Sequence, residues 1–217
     1  MKALKIILRI IIYILVAVVI SFCISFGVIY YQTSRESIKY QDKIQKYSEE
    51  YNMDPLFIAS IIKVESGFHN SATSSKSAKG LMQIMDDTAS HIAEIEGIDY
   101  LPDKLDDVDY NLNLGTSYIR YLYDYYGNYD LALAAYNGGI GNVDSWLNDG
   151  ILERNNPDTD NIPIKETREY VRKVNSNYSV FKTFYKDKLP EESKLENRFK
   201  LSIDNYKAFL SSIIDNA

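Results

Sequence analysis

The sequence predicts an all-α protein preceded by one transmembrane helix. Three observations lead to this fold class. Helix start and stop signals dominate the chain after residue 38, while strand signals are few. A long, uncharged apolar run precedes them. One Cys in 217 residues excludes an intrachain disulfide framework, and 46% hydrophobic with 25% charged residues is typical of an ordinary folded chain.

The apolar run from Ile10 to Tyr31 predicts a membrane anchor. Its 22 residues carry no charge, and at about 1.5 Å per residue they span roughly 33 Å as a helix, enough for a bilayer core of about 30 Å. Positive flanks stay cytoplasmic, and the basic residues before the run are Lys2, Lys5 and Arg9. We therefore expect a cytoplasmic basic tail at 1–9, a single-pass anchor at 10–31 in the cell membrane, and an extracellular remainder. A cleaved signal peptide is the alternative, although the exit of the run contains no small-x-small cleavage site.

The remainder divides into a stalk, one domain and an extension. Residues 32–44 predict a short polar stalk, 45–185 have the size of a single domain, and 186–217 predict a C-terminal helical extension. A net charge of −6 argues against a nucleic-acid partner. One Cys and two His leave little for a metal site.

The helices of the chain after residue 31 are predicted mainly from their start and stop signals. Ile38–Tyr51 is polar with widely spaced apolar residues, which predicts a surface helix. Asp54 and Pro55 are an N-cap and a first helical residue, and the strongly apolar stretch that follows predicts a buried helix. The Ser-rich segment 71–84 predicts a small irregular or β-like excursion. Further helices are expected at Asp86–Glu96, Asp106–Tyr126, Asp130–Tyr136, Glu166–Tyr185 and Lys194–Ile214, and a loop at Asn148–Pro163.

Glu65 is the first candidate for chemistry. It ends the buried helix, with Ile58, Ile61 and Ile62 on its own face. A carboxyl group among apolar side chains is desolvated, which raises its pKa toward the value that a general acid needs near neutral pH. The alternative is a helix-terminal Glu that simply reaches solvent past Ser66.

Five blocks in order then resemble one known family. The blocks are Glu65-Ser66-Gly67-Phe68, Gly80-Leu81-Met82-Gln83-Ile84-Met85, Asn111-Leu112-Asn113-Leu114-Gly115, Ala135-Tyr136-Asn137-Gly138-Gly139 and the run from Ile162 to Val171. Together they resemble the catalytic domain of soluble lytic transglycosylases, relatives of goose-type lysozyme, over 45–185. The resemblance implies a lysozyme-like fold. Departures are Ser77, Asp86 and Gly139, which stand where the family usually has Gly, Pro and Ala, and none of them touches the proton chemistry.

The resemblance also implies an activity and a set of site residues. It implies a peptidoglycan lytic transglycosylase that cleaves the β-1,4 bond between N-acetylmuramic acid and N-acetylglucosamine, leaves 1,6-anhydro-muramyl ends, and needs no metal or organic cofactor. Glu65 would be the general acid and base. The implied substrate-binding residues are Ser74, Gln83, Met85, Tyr136, Asn137, Glu166 and Tyr170. The implied partners are peptidoglycan glycan strands, with the membrane bound through the N-terminal helix; wall-synthesis or secretion partners stay open.

Other interpretations of these residues remain. Met85 fits a core position almost as well, Tyr136 is one of 19 tyrosines, and Glu166 could serve as a charge at a helix N-terminus. Three other functions also remain: a muramidase-type hydrolase with the same site, a membrane-tethered scaffold that binds the wall without cutting it, and a structural helical domain that assembles through its C-terminal helix.

Overall fold

The computed structural model describes residues 2–35, 38–185, 189 and 198–215. The chain forms two compact units, Ile38–Leu189 (the 38–189 unit) and Met1–Ser37 with Pro190–Ala217 (the terminal unit). The helices are α1 (Lys2–Arg35), α2 (Gln41–Glu50), α3 (Pro55–Glu65), α4 (Asp86–Glu96), α5 (Val108–Tyr126), α6 (Tyr129–Gly138), α7 (Ile140–Asn148), α8 (Lys165–Tyr185) and α9 (Arg198–Asp215). Short 3₁₀ turns lie at Pro102–Lys104 and Thr159–Asn161.

The all-α prediction is confirmed over the described residues. Between α3 and α4 the chain makes two isolated antiparallel bridges, Thr73 with Lys79 and Lys79 with Ile84, where the small β-like excursion was expected. Two bridges that share one residue do not make a sheet. The segment is therefore a tight loop whose shape depends on side chains from other elements.

The predicted helix ends agree with the local geometry. The Asp54 side chain accepts a hydrogen bond from the Leu56 amide at 2.8 Å, which satisfies one free donor at the start of α3. Gly97 and Gly127 end α4 and α5 with φ of 66° and 69°, a left-handed conformation that glycine adopts without a steric penalty. These signals are local, so the sequence alone was sufficient to predict them.

The core of the 38–189 unit is built around α3. Every residue from Leu56 to Ile62 is buried, and α3 packs mainly against α8 while α5 packs against α6. Ile38 and Ile44 are also fully buried in this core. The compact unit therefore begins at Ile38, before the predicted domain start at 45, and α2 occupies part of the predicted stalk. The two Ile residues lie too far apart in sequence to form a visible helical stripe, and their burial depends on distant parts of the chain.

Helix α7 was not predicted from the sequence. Gly139, with φ of 86°, separates it from α6. The start of α7 contains Gly and Asn, which are poor helix formers. Val143 and Trp146 are buried three residues apart, so tertiary packing stabilises a helix that local propensity does not indicate.

The terminal unit contains α1 and α9. Residues Lys5–Tyr31 of α1 contain an 18-residue window with a mean hydropathy of 2.9, and this stretch is long and apolar enough to cross a membrane. The helix runs beyond the predicted 10–31 segment at both ends. The predicted start of the last helix at Lys194 lies outside the described residues, as does most of 186–197.

Candidate active site

A cleft of about 270 Å³ opens on the 38–189 unit, and Glu65 at the end of α3 lines it. Seven of the eight predicted site residues line this cleft: Glu65, Ser74, Gln83, Met85, Tyr136, Asn137 and Glu166. The eighth, Tyr170 of α8, is buried close to the Glu65 carboxyl group. Residues separated by about 100 positions in the sequence are therefore brought to one place.

The Glu65 carboxyl group has an unusual proton affinity. Burial raises its pKa from the ordinary 4.5 to about 7, and weak hydrogen bonding from the Tyr170 hydroxyl opposes part of that rise. The contact with Tyr170 falls short of ordinary hydrogen-bond geometry, and no other described group binds that buried hydroxyl. A protonated Glu65 needs no such donor. An ionised Glu65 would gain from it, so Tyr170 is positioned to stabilise the carboxylate once it forms.

Tyr136 of α6 forms a fixed wall of the cleft. Its hydroxyl donates to the Met82 carbonyl at 2.8 Å, and its ring lies 5.2 Å from the ring of Tyr118. Burial, followed by the charge of Glu65, raises the pKa of Tyr136 well above its ordinary 10. Tyr136 therefore stays neutral and holds the loop that carries Met82 against α6.

Asn111 of α5 also holds this loop, through hydrogen bonds of its side chain. Its side-chain oxygen accepts from the Met82 amide at 2.8 Å, and its amide nitrogen donates to the carbonyls of Lys79 (2.9 Å) and Leu105 (2.7 Å). Gly80 must be glycine here, because its φ is 79° and an added Cβ would lie 2.3 Å from the Asn111 amide nitrogen. The Asn-Leu-Asn-Leu-Gly block thus supports the cleft, a role that its sequence did not reveal.

Two predicted sugar-binding residues also hold the loop together. The Gln83 amide nitrogen donates to the carbonyls of Ala72 (3.0 Å) and Gly80 (2.9 Å). The Ser74 oxygen accepts from the backbone amides of Lys76 (3.2 Å) and Ala78 (3.0 Å). Each residue therefore keeps one side-chain group for a ligand in the cleft. Gln83 can offer its side-chain amide oxygen as an acceptor, and Ser74 can donate its hydroxyl proton.

A second carboxylate lines the cleft in a different setting. Glu166, at the start of α8, is 70% exposed and lies 3.8 Å from the ammonium group of Lys76, which is 71% exposed. The cleft thus contains one buried carboxyl group, that of Glu65, and one solvent-exposed carboxylate, that of Glu166. Lys76 was missed in the sequence because a single Lys in a Ser-rich loop belongs to no pattern. Other lining residues that the sequence did not indicate are Ser75, Ala78, Ile84, Thr88 and Tyr118. Among the described residues no group of three His, Cys, Asp or Glu side chains could hold a metal ion.

Comparison with known proteins identifies the family. The profile of the transglycosylase SLT domain matches residues 42–155, more than half of the chain and most of the cleft. The chain belongs to the transglycosylase SLT domain family. The chain is 33% identical over 171 residues to the soluble lytic murein transglycosylase of Salmonella typhimurium, a match that covers 76% of this chain and 26% of that protein. It is also 32% identical over 161 residues to the membrane-bound lytic murein transglycosylase C of Edwardsiella ictaluri, covering 64% of this chain and 45% of that protein.

Solved structures of SLT proteins share the fold. The 70 kDa soluble lytic transglycosylase of Escherichia coli superposes with a TM-score of 0.65 at 34% identity, covering 71% of this chain and 26% of that one. An inactive glutamate-to-glutamine mutant of lytic transglycosylase Slt from Pseudomonas aeruginosa gives a TM-score of 0.65 at 28% identity, covering 73% of this chain and 26% of that one. The chain thus spans about a quarter of the length of these soluble relatives. The lysozyme-like fold implied by the five sequence blocks is confirmed.

Proposed function

We propose that this protein is a peptidoglycan lytic transglycosylase in which Glu65 is both general acid and general base. The observation that carries the proposal is the Glu65 carboxyl group in the cleft, with its pKa raised to about 7 by burial. A group that titrates near the working pH can both give and take a proton. Membership of the SLT family and similarity to lytic murein transglycosylases supply the reaction class.

The first step breaks the β-1,4 bond between N-acetylmuramic acid and N-acetylglucosamine. Protonated Glu65 donates its proton to the departing glycosidic oxygen, and the bonding pair of the C1–O bond leaves with that oxygen. The 2-acetamido group of the sugar assists the departure, as in recognised substrate-assisted glycosidases. The Tyr170 hydroxyl, buried beside Glu65, can then donate to the newly formed carboxylate.

The second step closes the anhydro ring. The Glu65 carboxylate accepts the proton of the C6 hydroxyl, and the C6 oxygen bonds to C1 as the carbonyl oxygen of the assisting acetamido group, bonded to C1 since the first step, leaves it with its electron pair. This step returns the proton to Glu65 and gives a 1,6-anhydro-muramyl end without consuming water. An intramolecular hydroxyl has a large proximity advantage over bulk water.

The charge distribution favours this route over hydrolysis by two carboxylates. Ordinary glycosidases add a second carboxylate that activates water or attacks C1. Among the described residues, the second carboxylate that lines the cleft is Glu166, which is largely solvated and paired with Lys76. A muramidase that activates water with Glu65 alone is the second candidate function, since it would use the same site.

The remaining cleft residues are proposed to bind the glycan. Met85 is 45% exposed and offers an apolar surface to a sugar face. Ser74, Gln83, Asn137 and Glu166 offer polar groups to hydroxyl and acetamido substituents. Glycan binding by these residues does not require a cluster of charged side chains, as expected for a polymer that lies along a groove.

The proposed location is the outer face of a cell membrane. The apolar stretch of α1 and the similarity to membrane-bound relatives support membrane association. Lys2, Lys5 and Arg9, at the N-terminal end of α1 and before the uncharged run, support a single-pass topology with the N-terminus inside. The 38–189 unit would then meet the peptidoglycan strands outside.

The decisive experiment is mass spectrometry of the ends released from purified peptidoglycan by the full chain in detergent. Glu65→Gln tests the acid, and Glu94→Gln, a change at an exposed residue of α4, is the matched control. We expect anhydro ends, lighter than reducing ends by one water, from the native chain and the control only. Predominantly reducing ends would identify a muramidase. Intact glycan that nevertheless binds the protein would identify a scaffold.

A further inference from the structure

The C-terminal helix α9 covers one end of the apolar helix α1. The large apolar side chains of α1 from Ile6 to Phe22 are exposed, whereas Ser25 and Phe26 are half-buried and Ile29 is 4% exposed. The covered part lies next to Tyr31, where the apolar stretch ends. Helix α9 therefore packs where α1 leaves its apolar stretch.

Tyr206 is the main contact between these two helices. Its hydroxyl lies 3.0 Å from that of Ser25, and its ring lies 5.3 Å from the ring of Phe22 and 5.8 Å from that of Phe26. Phe199 contacts Phe26 at 5.9 Å. Phe199, early in α9, contacts Phe26, whereas Tyr206, about two turns later, also reaches Phe22. Helix α9 therefore runs antiparallel to α1, toward the apolar middle of α1.

Several large apolar side chains of α9 are solvent-exposed, although part of the helix packs on α1. Leu201, Ser202 and Asn205 are buried at 5%, 0% and 1% exposure. The exposed large apolar side chains, at 36–74%, are Phe199, Phe209, Leu210, Ile213 and Ile214. With 3.6 residues per turn, these five fall within an arc of about 140°, which also contains Tyr206, the main contact with α1. Lys200, Asp204, Lys207 and Ser211 fall on a separate polar arc, so α9 is amphipathic, and its apolar arc contacts α1 at Tyr206 and is exposed at the five residues above.

The charged residues of α9 are unevenly spaced along the helix. Arg198, Lys200, Asp204 and Lys207 precede residue 208 and Asp215 ends the helix, so Ala208–Ile214 is an uncharged stretch between them. The uncharged part is the part that follows Tyr206 toward the middle of α1. The apolar stretch of α1 has 27 residues, whereas a bilayer core needs about 20. Ser25 to Ile29, the part of α1 covered by α9, therefore lies in the last third of this stretch, on the side where the span reaches the boundary of the bilayer.

We propose that α9 is a second membrane-bound element, which inserts its apolar arc into the lipid that surrounds the exit of α1. Amphipathic helices with a broad apolar face bind at this depth, with their charges among the headgroups. Continuity with α1 favours lipid over a protein partner, since the exposed apolar arc of α9 adjoins a helix that would itself be surrounded by lipid. The 38–189 unit is then tethered to the membrane at both of its ends. The proposal rests on α1 being a membrane span and is independent of glycan cleavage.

The test places single cysteines on the two arcs of α9 in the full chain. Cys23 is the chain's one cysteine, so Cys23→Ser supplies the background. Ile213→Cys probes the apolar arc and Lys207→Cys the polar arc, about 120° away on the helix. Glu94→Cys, on an exposed residue of α4, corrects for the orientation of the protein in vesicles of phosphatidylglycerol and phosphatidylethanolamine.

We expect a membrane-impermeant maleimide to react with Ile213→Cys roughly tenfold more slowly than with Lys207→Cys. A fluorescent label at 213 should be quenched by lipids that carry a spin label on the acyl chain, and a label at 207 should not. Equal reaction rates at the two positions would overturn the proposal and place α9 in water. Protection at 213 without lipid quenching, accompanied by cross-linking between copies, would also overturn it and identify a protein interface.

Discussion

Replacing Glu65 by Gln should abolish activity and stabilise the fold, both because of the same buried carboxyl group. The amide is nearly isosteric and cannot transfer a proton, so a loss of about 10²–10⁴-fold in glycan cleavage is expected. The stability effect has the opposite sign, because the native protein must hold a carboxylate that burial disfavours whenever the pH exceeds the Glu65 pKa.

The magnitude follows from the proton affinities. Glu65 has a pKa of about 7 in the fold against an ordinary 4.5, so the folded state binds the proton more tightly. Stability is then greatest below the ordinary value and falls as the pH rises to about 7. At about 1.4 kcal/mol per tenfold change, the penalty is at most about 3 kcal/mol at pH 8 and below about 1 kcal/mol at pH 5.

Thermal unfolding at these two pH values measures the effect. At pH 8 the Gln variant should unfold about 5–10 °C above the native chain, and at pH 5 the two should nearly coincide. Glu94→Gln, the exposed control on α4, should change neither temperature. A Gln variant that is less stable than the native chain at pH 8 would refute the buried, desolvated carboxyl group. Retained cleavage would remove Glu65 from the mechanism.

Three further outcomes are expected. Cleavage should be maximal below pH 7 and fall about tenfold per pH unit above it, since Glu65 must start protonated; initial rates of muropeptide release that stay flat from pH 6 to 9 would contradict this. Gly80→Ala should destabilise the fold by about 2 kcal/mol or more, because the new Cβ would meet Asn111 and the residue has a positive φ; denaturant unfolding with an unchanged midpoint would show that the loop can shift. Tyr136→Phe should cost about 1–3 kcal/mol by leaving the Met82 carbonyl without its 2.8 Å donor, and cleavage should fall more than stability alone explains; unchanged values of both would show that the contact is dispensable.

The sequence was sufficient for the features that depend on neighbouring residues. The N-cap at Asp54 and the terminating glycines Gly97 and Gly127 follow from φ preferences and short hydrogen bonds. The apolar face of its own helix made a desolvated Glu65 carboxyl one of two interpretations, the family resemblance of the five blocks favoured it, and the raised pKa of about 7 agrees with it. The helical class is thus encoded locally, whereas the candidate acid was identified from motifs spread along the chain.

Only the tertiary structure decided which distant groups complete the site. Asn111 gives no sign in its own block that it binds Met82, Lys79 and Leu105, because those partners lie 6 to 32 residues away. Lys76 belongs to no pattern, yet folding brings it to within 3.8 Å of Glu166.

The start of the compact unit was also decided by packing. Ile38 and Ile44 stand in a polar stretch that predicted a stalk, but both are fully buried in the 38–189 core. A hydrogen bond or an apolar contact between distant residues leaves no periodicity in the chain. Local propensity and spacing therefore predict the helices and the acid, while the cleft around the acid exists only after the helices pack.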